Sequence, residues 1–208
     1  MEHWDAIATA RRTLADQLEA LTPEQWATQS LCAAWSVRDV VAHLVMPHKV
    51  TMARFLITVV RNGGSFARAN IALTATEAVR PPEDLIRDLR GFAGSRFAPP
   101  GLDSAAPLTD VLVHGQDIRV PLALPDPNPI EAWTAVLDFL VSRRARRGFV
   151  GALPAVRWAA TDGDWAHGTG PEVRGPAAAL ALAITGRTAR IGELSGPGVP
   201  AVAGRPSP

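Results

Sequence analysis

The sequence predicts a mainly α protein: a helical bundle over residues 1–148 and a small α+β lobe over 149–208. Three observations carry that prediction. Through the first two thirds of the chain, apolar residues recur at three-, four- and seven-residue steps with charges between them. Capping residues and prolines cut that region into segments of helical length joined by short loops, which is how a bundle reads. After Gly151 the period changes to short extended runs on either side of Asp162-Gly163.

Taken in order, Trp4, Ile7, Leu14, Leu18 and Leu21 define an amphipathic helix over about residues 2–20. Thr22-Pro23-Glu24-Gln25 is a capping-box pattern with proline at the first helical position, so a short helix carrying Trp26 follows. Ser36-Val37-Arg38-Asp39 is a second such start, with Trp35 placed to pack on Val40. Val37, Val40, Val41, Leu44 and Val45 form the apolar stripe of this helix, and Pro47 obliges it to kink or restart before continuing from Met52 to about Arg61. Asn62-Gly63-Gly64 ends it. Residues 65–80 are mildly helical, and Arg80-Pro81-Pro82-Glu83-Asp84 opens a helix that stops near Gly91. After a loop at 98–101, a helix bearing Asp110, His114 and Asp117 runs to about Val120, and a proline-rich connection leads to a helix over about 130–145. In the lobe, the runs 156–161 and 164–167 form a β-hairpin with Trp158 opposite His167 and a two-residue turn at Asp162-Gly163. An Ala/Leu helix then runs from Gly175-Pro176 to Gly186.

Composition narrows the function. A net charge of +1 with 20% charged and 47% hydrophobic residues points neither to disorder nor to long-range attraction of nucleic acid. The arginine run Arg143-Arg144-Ala145-Arg146-Arg147 is read as the basic last turn of a helix, favoured by its dipole, rather than as a DNA-binding patch. No apolar run approaches the roughly 20 residues that cross a bilayer, and the single Cys32 excludes an internal disulfide. A cytoplasmic protein with no membrane or nucleic-acid partner is expected.

The chemistry resides in two separated stretches. Asp110 and His114 are one helical turn apart and share a face, so a single ion can take an oxygen from one and a nitrogen from the other. The same pair can equally serve as a His–carboxylate hydrogen bond, just as His43, inside its apolar run, can be a core histidine bonded to a carbonyl. If His43 meets Asp110 and His114, two imidazoles and a carboxylate form a divalent site with open positions for water or substrate. Asp117 then orients a ligand or caps the helix end. Cys32 reads as a partly buried thiol ahead of a helix, since no histidine base adjoins it in sequence.

Residues 32–44, CAAWSVRDVVAHL, followed by 110–119, DVLVHGQDIR, and by the tail motifs Ile184-Thr185-Gly186-Arg187 and Gly192-Glu193-Leu194-Ser195-Gly196, resemble the mycothiol-dependent maleylpyruvate isomerase family of the DinB-like superfamily. The resemblance implies a DinB-like up-and-down four-helix bundle and a divalent metal, usually zinc, held by His43, Asp110 and His114. It also implies mycothiol or a similar low-molecular-weight thiol as cosubstrate. The family often carries glutamate where this chain has Asp110. It also directs an arginine from the C-terminal lobe toward its substrate, and Arg187 is the matching candidate. The expectation is a thiol-dependent isomerase or transferase acting on a small electrophile, as a monomer or homodimer, with no catalytic side chain assigned. The rival expectation is a non-catalytic bundle that binds a small ligand.

Overall fold

The computed structural model describes residues 2–204. They form two compact units. One comprises Ile7–Phe97 with His114–Pro125; the other takes the described residues of Met1–Ala6, Ala98–Val113 and Asp126–Pro208.

The chain begins with α1 (Trp4–Glu19) and α2 (Pro23–Trp26), and continues through α3 (Val37–Val45), α4 (Met52–Arg61), α5 (Phe66–Ala78) and α6 (Pro82–Gly91). Both capping boxes form. The Thr22 hydroxyl accepts from the backbone of Gln25 while the Gln25 side chain accepts from the backbone of Thr22, and Ser36 and Asp39 do the same at the start of α3. The apolar stripe of α3 is buried as its spacing requires. Val37, Val40, Val41 and Val45 are wholly inaccessible, each contributing roughly 1.5–3 kcal/mol of transfer free energy. Pro47 ends α3 as expected, because Met46–His48 tighten into a 3-10 turn before Thr51 caps α4. In this unit α3 packs against α5 and α6, and α4 against α5.

Next comes α7 (Ala105–Arg119), a continuous helix through which the division between the units passes. It is followed by α8 (Ile130–Val141), which stops earlier than its sequence suggests. Ser142 turns extended, with φ −65° and ψ 155°, and its side chain caps a separate short turn, α9 (Arg143–Ala145), continued by a wide π turn over Arg146–Val150. The arginine run therefore does not lie in the last turn of α8.

The C-terminal segment holds a three-stranded sheet of order β2-β1-β3, built from β1 (Arg157–Ala160), β2 (Ala166–His167) and β3 (Glu172–Gly175). The hairpin register is as anticipated, with Trp158 opposite His167. Its turn is longer than the two residues expected, since β1 ends at Ala160 and β2 begins at Ala166; Gly163 is outside the positive-φ region, and a Cβ there would stand 2.8 Å from Ile130. Asp162 accepts from the backbone N–H of Ala177 at 2.9 Å and so caps α10 (Ala177–Ile184). The strand β3, parallel to β1, had no sequence signal. All eight residues of α10 are buried, and the helix packs on α8 and the sheet before Gly186 ends it at φ +79°. The described chain closes with α11 (Pro200–Ala203).

Candidate metal centre

The loop between α2 and α3 is knitted before it reaches any functional group. Ser30 N–H donates to the Trp35 carbonyl, Trp35 N–H to that of Cys32, and Val37 N–H to that of Thr28, all within 3.1 Å. The Gln29 amide donates to the carbonyls of Cys32 and Trp35, each at 2.8 Å. A loop so fully bonded holds its side chains in place without regular structure. It sets the Trp35 ring 4.8 Å from the His43 ring, tilted by 33°, and 5.9 Å from that of His114.

His43 lies in the last turn of α3 and is buried, because the valine stripe that seats the helix carries it inward. The rings of His43 and His114 meet edge to face with centroids 4.7 Å apart. One turn before His114 on α7 stands Asp110, as the four-residue spacing demands. Donor atoms of His43, Asp110 and His114 all lie within 4.8 Å of one another. The three residues singled out from two stretches of sequence are thus brought together.

Asp117, on the same helix, has no solvent-accessible surface, and its Oδ2 is 2.8 Å from Nδ1 of His114. If Asp117 is a carboxylate it accepts from Nδ1–H at that distance, which would present Nε2 to an ion. Asp117 therefore orients His114, one of its two expected roles. An imidazole oriented by a buried carboxylate, a second imidazole and a carboxylate are the donors a catalytic divalent site uses, and three of them leave a position open. The residues fit the metal that the sequence resemblance implies.

Sequence reasoning missed the neighbour of this arrangement. The thiol of Cys32 donates to Asp117 Oδ2 at 3.1 Å, and its sulfur is 4.0 Å from His114 Nδ1. The backbone completes the link, with Leu31 N–H donating to the Asp117 carbonyl at 3.1 Å. With 85 residues between the partners, no local pattern could have announced the contact.

Residues 7–98, which hold the Cys32 loop, α3 and His43, match the family model described as the mycothiol maleylpyruvate isomerase N-terminal domain. Over these residues the chain is similar to that family's N-terminal domain. The fold agrees along nearly the full length: the chain is similar to a crystal structure of the mycothiol-dependent maleylpyruvate isomerase, with a TM-score of 0.57 and 14% identity over 94% of this chain and 92% of that one. A histidine-to-alanine mutant of a mycothiol-dependent maleylpyruvate isomerase matches with a TM-score of 0.54 and 13% identity, over the same shares. No curated protein matches the sequence. Of the candidate donors, the matched region contains His43; Asp110 and His114 follow it on α7.

Arg187 follows α10 and is buried, with one guanidinium N–H donated to the carbonyl of Thr185 at 3.0 Å. Its backbone N–H donates to Leu182 across Gly186. The arginine is therefore set by the helix end rather than left as a solvated side chain.

Proposed function

We propose that this protein is a divalent-metal-dependent enzyme that activates a low-molecular-weight thiol, mycothiol or a close analogue, for transfer to or isomerisation of a small electrophilic substrate. The observation that carries the proposal is the convergence of His43, Asp110 and His114 within 4.8 Å, with Asp117 Oδ2 2.8 Å from Nδ1 of His114. A divalent ion such as zinc, held by these three residues, would supply Lewis acidity that lowers the pKa of a thiol and makes it nucleophilic at neutral pH.

The remaining work falls to the chain itself. Asp117 holds the Nδ1 proton of His114 and keeps the ring from rotating away from its task. Trp35 covers both imidazoles with an apolar wall, which limits the water that would compete for the open position. Asp110, one methylene shorter than the glutamate common in the family, reaches less far from α7, so an ion here sits closer to that helix. In this reading Arg187 is the substrate-binding cation. The solved relatives are named for maleylpyruvate, whose carboxylates a guanidinium grips in bidentate fashion.

The test is elemental analysis of protein purified without chelator or affinity metal, beside His43→Ala and His114→Ala. The expected result is near-stoichiometric zinc or another divalent ion that both substitutions abolish, with thiol-dependent turnover of an unsaturated keto acid by the loaded protein. A folded wild type that stays empty after zinc titration overturns the enzyme reading and leaves a ligand-binding bundle.

A further inference from the structure

A second set of donors meets at Nδ1 of His114. Cys32 Sγ, His114 Nδ1 and Asp117 Oδ2 form a triangle with sides of 3.1, 4.0 and 2.8 Å. In a tetrahedral shell with metal–donor lengths of about 2.0–2.3 Å, sulfur, nitrogen and oxygen donors stand about 3.3–3.6 Å apart. The observed sides straddle that range, so shifts of about half an ångström would close the triangle on an ion.

The donor types also discriminate. A thiolate beside an imidazole and a single carboxylate suits zinc, cobalt or cadmium and is a poor match for magnesium or calcium, which take oxygen shells. Asp117 is wholly buried and Cys32 is half-buried, so an ion would enter from the Cys32 side and meet an anchored carboxylate. The backbone bond from Leu31 to Asp117 keeps the cysteine loop on α7.

We propose that Cys32, His114 through Nδ1, and Asp117 form a second site, for a thiophilic divalent ion, distinct from the one on the Nε2 side of the same ring. An entering ion displaces the thiol proton to solvent. The Nδ1 proton moves to Nε2, or to solvent if Nε2 already holds an ion, in which case the ring becomes a bridging imidazolate. The site does not require His43 or Asp110, and its standing is independent of the proposed activity.

Cobalt(II) titration tests this, because thiolate ligation gives an intense near-ultraviolet charge-transfer band that nitrogen and oxygen donors do not. Wild type, His43→Ala and Cys32→Ser are titrated side by side, with far-ultraviolet circular dichroism as the fold control. The band is expected in wild type and in His43→Ala, and is lost in Cys32→Ser. A saturated, folded wild type without the band overturns the second site; if Cys32→Ser still binds one equivalent of cobalt, the first site stands without it. A band in wild type and His43→Ala with no cobalt bound by a folded Cys32→Ser protein would support the second site while the first fails.

Discussion

Replacing Asp117 with asparagine isolates what the buried carboxylate does for His114. Asparagine has nearly the same size and keeps an oxygen that can accept from Nδ1, while the charge is removed. The main-chain bond from Leu31 to residue 117 is untouched, so the fold should survive. The bond being weakened is 2.8 Å long, buried on the Asp117 side and charge-assisted, a class worth about 1.5–3 kcal/mol net. Carboxylates that orient a metal-bound histidine typically account for a 10–100-fold effect on affinity, or about 1.4–2.7 kcal/mol. The two routes agree, so zinc affinity is expected to fall by one to two orders of magnitude. Competition against a chromophoric chelator at fixed pH measures it, with circular dichroism confirming the fold. Unchanged zinc affinity in a folded Asp117→Asn protein would refute the claim that this carboxylate prepares His114 as a ligand.

Three further outcomes concern the scaffold. Ser36→Ala removes the side-chain half of the capping box at the start of α3 and should cost about 1 kcal/mol, read as a fall of about 2–4 °C in Tm. Gly196 sits at φ +106°, where a Cβ would run into the Glu172 carbonyl; Gly196→Ala should lower stability by about 1–3 kcal/mol in urea unfolding, and an unchanged midpoint would contradict this. Burial opposes ionisation of Asp88, yet its bonds to Lys49 and Arg80 outweigh that and hold its pKa below the ordinary carboxylate value. Its stabilising contribution is therefore present above the unfolded pKa and lost as pH falls through the folded one, so Asp88→Asn should flatten the acid limb of a stability–pH profile below about pH 4.

What the sequence disclosed was local. Thr22 with Gln25 and Ser36 with Asp39 announce helix starts because both partners of a capping box lie within four residues. The one-turn spacing of Asp110 and His114 is likewise a property of a single helix. Ser142 misled because serine is tolerated within helices, and only the tertiary setting turned its backbone extended. The strand β3 has one buried apolar side chain, Val173, and is a strand because β1 pairs with it. Gly163 was legible as a turn residue but for the wrong cause, since the crowding by Ile130 is a contact between distant segments. The thiol of Cys32 reached Asp117 for the same kind of reason: loop closure over 85 residues leaves no periodic trace.

Asp110 and His114 are held a fixed distance apart by one turn of a single helix, whereas His43 arrives from another, clamped at its start by Ser36 and released at its end by Pro47. In the proposed site, an ion of larger radius would be met by rotation of the Asp110 and His114 side chains on a fixed backbone and by translation of α3. Preference among ions of one charge would then depend in part on how stiffly α3 is seated on α5 and α6. Trimming Val40 or Val41 would widen the range of ionic radii tolerated while leaving every donor atom in place.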